Sequence, residues 1–289
     1  MSSGYPTCVV KLTRSVRFAC NSTAPDPDGF NQFGDNGYAG APALSSFGRF
    51  DELEVSCSGT VDPVLQYLID IKAVDRAVRH TVIPILSAAF HRANSSAPSD
   101  TRGWPGSVLA DFMPPLAAAL GGLLHQVVWK LTPFMSLSMH TPNPSQPAVA
   151  LLRQRFEFAA SHRLHVPALS IEENRRAFGK CNHESGHGHN YIFEPCIELP
   201  VASAAIPLRV GELERIAKEV ILDRFDHKYL NVDTPEFREG TGAVPSVENI
   251  AQVFFDLLAP AINSTGRGAR LRSVTVWESD RTSATFPAD

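Results

Sequence analysis

Hydrophobic and polar positions along the chain fall into two similar series. Arg14-Ser-Val-Arg-Phe-Ala-Cys20 and Arg155-Phe-Glu-Phe-Ala-Ala-Ser-His162 each read as a β-strand. Helix-like segments follow in each series: Val61 to Leu86 and Ser107 to Leu120, then Gly211 to Phe225 and Ser246 to Ala261. Each series closes on a strand with a buried-type tryptophan, Trp129 within Val127 to Ser136 and Trp277 within Val274 to Ser283. Strands, two helices and strands again, repeated in order, predict a duplicated α+β fold. Each half is expected to be an antiparallel sheet with two helices on one face. His140 to Ala148 reads HTPNPSQPA and predicts a linker, so the expected division is 1–140, a linker over 141–150, and 151–289. Phe90 to Gly106, rich in Ser, Pro and Gly, reads as an exposed loop.

Composition narrows the partners. Hydrophobic residues make up 44% of the 289 positions and charged residues 19%, enough apolar material for a packed core. A net charge of -4 gives no electrostatic case for nucleic acid or an anionic membrane. Five widely spaced cysteines (Cys8, Cys20, Cys57, Cys181, Cys196) suggest neither a disulfide framework nor a paired-cysteine metal clamp. The opening residues hold no apolar run of the secretory kind, and Pro114 to Trp129 is too short and broken for a membrane span. A cytoplasmic protein is expected.

Candidate chemistry lies in the second half. In Gly186-His-Gly-His-Asn-Tyr191, a strand would send His187 and His189 to the same face, with Gly188 sparing bulk between them. By the same alternation Phe156, Phe158, Ala160 and His162 share a face, and pairing of the two strands would bring a third imidazole to the pair. Three protein nitrogens with an open fourth position make the catalytic rather than the closed zinc arrangement, and neutral ligands leave Zn2+ its full charge.

Further groups could handle protons. Cys181 lies six residues before His187, next to Lys180, and a zinc ion and this lysine close by would depress the thiol pKa. Asp226 and His227 follow the first helix of this half and could join Cys181 in space. Glu248 lies in the first turn of a helix that Ser246 could cap. Glu278, after Trp277, is either an exposed strand carboxylate or an anchor for a guanidine-like ring edge.

Together these residues resemble the 6-pyruvoyltetrahydropterin synthase family. The matching pieces are Phe158-Ala-Ala-Ser-His-Arg-Leu, Leu169-Ser-Ile-Glu-Glu-Asn, Phe178-Gly-Lys-Cys-Asn, Gly186-His-Gly-His-Asn-Tyr, Phe225-Asp-His-Lys-Tyr-Leu-Asn, Pro245-Ser-Val-Glu-Asn-Ile-Ala and Val276-Trp-Glu-Ser. The resemblance implies a T-fold assembled around a barrel, with zinc on His162, His187 and His189. It implies Cys181 as catalytic base, completed by Asp226 and His227, with Glu278 anchoring the pterin and Glu248 near the pocket. The implied substrate is 7,8-dihydroneopterin triphosphate, which loses triphosphate to give the pyruvoyl product. A sister branch makes 6-carboxytetrahydropterin, and the six-residue step from Cys181 to His187 looks more like the pyruvoyl branch. A non-catalytic pterin-binding protein is the third reading. Two departures stand out: the extra His183 close to the histidine pair, and Pro200 to Arg209 where a short hairpin is expected.

The first half keeps the frame, with Ser58-Gly-Thr-Val-Asp and Asp70-Ile-Lys72 at a strand-to-helix crossover. Its chemistry is missing: Cys20-Asn-Ser stands for Ala-Ser-His, Phe47-Gly-Arg-Phe for His-Gly-His, Leu86-Ser-Ala for Asp-His-Lys, and Lys130 for Glu278. A degenerate repeat without zinc ligands is expected, with Arg49 or Lys130 as groups that could reach a neighbouring site. Two units in one chain would replace two subunits, predicting a homotrimer of two-domain chains.

Overall fold

A computed structural model describes residues 8–22, 36–45, 47–95, 104–143, 145–202 and 205–288. The chain divides into two compact units, Met1–Leu151 with Pro200–Ile206, and Leu152–Leu199 with Pro207–Asp289. The short segment 200–206 therefore groups with the first unit.

In the first unit, β1 (Val9–Asn21) and β2 (Gly48–Thr60) run antiparallel over their full length, Val9 opposite Thr60 and Asn21 opposite Gly48. β3 (Leu124–Thr132) pairs with β2, and β4 (Met135–His140) with β3. Val16, Phe18, Leu53, Val55, Val127 and Trp129 supply the buried face. Against it pack α1 (Ile71–Ala77), a π-helical turn over Val78–Val82, α2 (Ile83–Ser95) and α3 (Pro105–Ala119), with Phe112 edge-on to Trp129 at 6.2 Å.

The helix expected from Val61 begins only after Asp70, whose carboxylate accepts from the Lys72 N–H and caps α1. Upstream, Asp62 accepts from the N–H groups of Val64 and Leu65 and forms a turn around Pro63. A side-chain-capped turn competes with helix at that point. The expected 90–106 loop is shorter than its composition suggests. α2 continues through Ser95, Trp104 is buried, and Pro105 opens α3; residues 96–103 lie outside the described residues.

In chain order the remaining elements are β5 (Val149–Gln154), at the boundary between the units, β6 (Phe156–His162), α4 (Ile171–Phe178), a 3-10 turn over Gly179–Asn182, β7 (His187–Pro200), α5 (Val210–Ala217), a π-helical turn over Lys218–Leu222, α6 (Asp223–Phe225), β8 (Lys228–Tyr229), α7 (Leu230–Asp233), α8 (Val247–Asn263), β9 (Arg270–Ser279) and β10 (Thr282–Phe286). Within the second unit β7 lies between β6 and β9, both antiparallel to it; β10 extends β9, and β8 runs parallel to β6. Phe158, Tyr191 and Phe193 on the sheet meet Phe254 of α8 and Phe225, giving an aromatic core immediately beneath the histidines. Ser170 and Glu173 form a capping box that starts α4, and the Ser246 hydroxyl accepts from Asn249 N–H to start α8.

This α+β architecture has the expected long antiparallel strands. The two tryptophans are not equivalent. Trp129 is buried, whereas Trp277 is only half-buried and lies under the Arg155 guanidinium at 5.2 Å. All five cysteines are free thiols, and no helix among the described residues is long and apolar enough to cross a membrane.

Candidate metal centre

His162 ends β6 directly opposite His187, the first residue of β7, and Ala160 is opposite His189. Strand alternation then sends all three imidazoles to one face. Their nearest donor atoms all lie within 4.8 Å of one another, the only such group of His, Cys, Asp or Glu found among the described residues. Nε2 of His162 is 3.2 Å from Nε2 of His187.

The expected role of Gly188 falls to another glycine. A side chain at Gly188 would meet its nearest neighbour at 3.5 Å, an ordinary contact. Gly186 has φ +65°, and a Cβ there would lie 2.9 Å from the His162 carbonyl oxygen and 3.0 Å from the Tyr229 ring. It alone permits the tight entry into β7 that sets His187 against His162.

His162 is fully buried, and its Nδ1 lies 2.7 Å from the Pro245 carbonyl oxygen. A carbonyl only accepts, so Nδ1 carries the hydrogen and Nε2 presents a lone pair toward His187 and His189. The buried Tyr191 hydroxyl is 3.2 Å from the same Nδ1. Pro245 and Tyr191 both fall within motifs read from the sequence, but neither carried an expected role at the cluster. Burial first, helped by the neighbouring histidines and opposed by the bond to Pro245, lowers the His162 pKa to about 4. Burial and His189 push His187 down as well. Nδ1 of His187 and Nε2 of His189 are buried without hydrogen-bond partners. Neutral imidazoles with unused buried nitrogens fit a divalent metal better than they fit a packed core.

These pKa values predict a pH dependence for the metal-free protein. Because His162 titrates at about 4 when folded and at 6.5 when unfolded, the unfolded chain binds more protons between those values. Stability is therefore expected to fall as pH falls through that window, by up to about 1.4 kcal/mol per pH unit. Melting temperature in chelator, from about pH 7 down to about pH 5, checks this.

Cys181 lies in the 3-10 turn, and its carbonyl accepts from Leu164 N–H, just beyond His162. Asn182 donates to the Leu164 carbonyl, and Arg163 donates back to the Asn182 carbonyl. These bonds hold the thiol segment beside the end of β6. The surrounding side chains raise the thiol pKa, by burial first and by the Glu278 carboxylate second, so the expected depression falls to the metal. His183 is exposed and its Nδ1 accepts from Ser185 N–H, so the extra histidine caps the turn and stays out of the cluster.

Asp226 and His227 form their own pair, Nδ1 to Oδ2 at 2.9 Å. Asp226 also accepts from Ala159 N–H, and His227, at φ +55°, donates its backbone N–H to the Ala159 carbonyl. The Asp226 pKa is lowered: burial opposes the shift, but the Ala159 N–H and His227 outweigh it. The His227 ring is exposed and lines an open cavity of about 460 Å3 shared with His189, Ser161 and Tyr229. No hydrogen bond or ion pair among the described residues joins this pair to Cys181. Glu248 is exposed in the first turn of α8, three residues after Pro245. Glu278 comes to the cluster itself, Oε1 being 3.4 Å from Nε2 of His162 and 3.6 Å from Nε2 of His189.

The first unit carries a different polar cluster. Asp51, 1% exposed, accepts from Trp129 Nε1 and from Arg49 Nε, each at 2.8 Å, and the Arg49 guanidinium lies over the Trp129 ring. Burial raises the Asp51 pKa against the pull of Arg49 and pushes the Cys20 thiol up to about 12. Arg49 is thus engaged within its own unit, and Lys130 pairs with Glu52 and Glu54.

A family model described as 6-pyruvoyl tetrahydropterin synthase matches residues 151–289. The human 6-pyruvoyl tetrahydrobiopterin synthase is 34% identical over 144 residues, 49% of this chain and 94% of that protein. The chain belongs to the 6-pyruvoyl tetrahydropterin synthase family. The Dictyostelium discoideum 6-pyruvoyl tetrahydrobiopterin synthase is 38% identical over 113 residues, covering 39% of this chain and 80% of that protein. The solved Caenorhabditis elegans 6-pyruvoyl tetrahydropterin synthase is 28% identical, covering 49% of this chain and 96% of that one at a TM-score of 0.42. The family match takes in the complete histidine cluster, Cys181, Asp226–His227 and Glu278, all of which lie in the second unit.

Proposed function

We propose that this chain is a zinc-dependent carbon–oxygen lyase that converts 7,8-dihydroneopterin triphosphate to 6-pyruvoyltetrahydropterin with loss of triphosphate. The observation that carries the reading is the meeting of three imidazoles with Cys181 and Glu278 at one strand end, in a member of this family. His162, His187 and His189 would hold the metal. When bound, Zn2+ supplies Lewis acidity that makes substrate side-chain hydroxyls and their adjacent C–H bonds more acidic. Cys181 takes the proton, and Asp226 orients His227 as a relay. Glu278 accepts hydrogen bonds from the guanidine-like edge of the pterin, and Glu248 stands near the pocket entrance.

The mass of the product tests this reading. The pyruvoyl product keeps three carbons at the pterin C6 position and the carboxy product only one. Recovery of the one-carbon product would move the enzyme to the sister branch.

We also infer a tandem pair of T-fold units with an empty first repeat. Each unit has a long antiparallel strand pair, then a helix interrupted by a five-residue π turn, then a second helix and a closing hairpin. The buried carboxylate of the first unit is already neutralised by Arg49. The Asp226–His227 pair, with its exposed imidazole and no bond among the described residues to the thiol of its own chain, supports a site completed by another chain. A homotrimer is expected in light scattering, at about three times the chain mass of 31.4 kDa. A monomeric mass would overturn it.

A further inference from the structure

Cys181 sits on a short 3-10 turn, Gly179–Asn182, and the poor hydrogen-bond geometry of such a turn lets it hold itself only weakly. Its last two carbonyls are taken by the chain that leaves β6. Leu164 N–H donates to the Cys181 carbonyl at 2.9 Å, and Arg163 Nε donates to the Asn182 carbonyl at 3.2 Å. The Asn182 side-chain amide returns a bond of 2.7 Å to the Leu164 carbonyl. The thiol segment is therefore fixed from outside, and Arg163 supplies the one charged donor.

Arg163 is itself clamped. Its backbone N–H donates to Asn231 Oδ1 at 2.8 Å, and its carbonyl accepts from Asn231 Nδ2 at 2.9 Å. One side-chain amide thus gives and takes on the same residue, as a neighbouring strand would. Asn231 is buried in α7, just after β8 has paired with β6. The far end of the guanidinium points to Glu239, with Nη1 3.7 Å from Oε1, and Glu239 N–H donates to the Asn231 carbonyl. Only 17% of the Arg163 side chain is exposed, so the guanidinium is held between the Cys181 turn and the segment after α7. A planar guanidinium serves a carbonyl through Nε and a carboxylate through a terminal nitrogen at once, which a lysine ammonium cannot do.

We propose that Arg163 is a positioning residue: locked by Asn231, it sets where the Cys181 turn, and with it the thiol, stands against the strand end that carries the three histidines. The catalytic meaning rests on the lyase reading above, in which Cys181 takes the proton. Arg163 itself needs no contact with substrate. Displacing the base by about 1 Å costs on the order of 10^2-fold in rate.

Alkylation of the zinc-loaded full chain tests the clamp without substrate. Wild type, Arg163→Ala and Arg163→Lys are treated with iodoacetamide at one pH, and peptide masses report Cys181 and Cys196 separately. Cys196, buried on β7 and outside the turn, gauges general loosening. Arg163→Ala is expected to speed alkylation of Cys181 about 10-fold and to leave Cys196 unchanged. Its kcat for triphosphate release is expected to fall about 10^2-fold, with KM and zinc content held at the wild-type values. Arg163→Lys should shift the same readings in the same direction by less. Unchanged Cys181 alkylation in Arg163→Ala would overturn the proposal, as would a Cys181 opened to the reagent with kcat intact. Equal acceleration at Cys181 and Cys196, the mark of a merely structural residue, would overturn it as well. Should Arg163→Ala fail to fold, Arg163→Lys decides by the same readings. Wild type that releases no triphosphate would count against the lyase reading, while the alkylation ratio still reads the clamp.

Discussion

Replacing His162 with Ala is expected to abolish both stoichiometric metal binding and activity. The ring is fully buried, its Nε2 stands 3.2 Å from His187, and its orientation is fixed by the Pro245 carbonyl. Loss of a partner that merely orients a ligand costs about 10–100-fold in metal affinity or activity, so loss of a ligand should cost on the order of 10^3-fold or more. The fold should survive. Leaving the Pro245 carbonyl without a donor costs about 1–3 kcal/mol, and a small cavity adds to it. Elemental analysis should find one zinc per chain in wild type and none in the variant. Two zinc ions per wild-type chain would overturn the empty first unit.

Replacing Cys181 with Ala should separate proton transfer from metal binding. The thiol adjoins the cluster through Leu164 and Asn182 but is not one of the three converging ligands. A lost general base typically lowers turnover by about 10^2–10^4-fold, and zinc content should stay at the wild-type value. The surrounding side chains hold the thiol above its ordinary value of 9.0, with Glu278 contributing. The rise in rate with pH as the thiol ionises should therefore disappear in the variant. A fully active Cys181→Ala enzyme would remove the thiol from the mechanism.

How much of this was readable in advance depended on whether the signal was local. Strand alternation placed His187, His189 and His162 on one face, and the register sets His162 opposite His187. Ser246 was recognisable as a cap because capping is a short-range pattern. Contacts made across the fold were not readable. The Pro245 carbonyl reaches His162 from 83 positions away, and nothing near either residue announces it. Gly188 looked like the critical glycine because it lies between the two histidines. Gly186 is the one whose backbone sign and crowding exclude a side chain, which only the packing of His162 and Tyr229 reveals. The side chains around Cys181 show the same limit of local reading. Lys180 is adjacent in sequence, but burial and Glu278, distant along the chain, set the direction. The two tryptophans looked equivalent by position, whereas the pairing of Trp277 with Ile192 turns it away from its unit's buried face.

Triphosphate release is the most direct test of the central claim. Zinc-loaded full-length protein, mixed with a smaller amount of 7,8-dihydroneopterin triphosphate, should release triphosphate in step with substrate consumption, and His162→Ala treated identically should release none. Intact substrate after incubation with fully zinc-loaded wild type would contradict the assignment of this site as a pterin lyase.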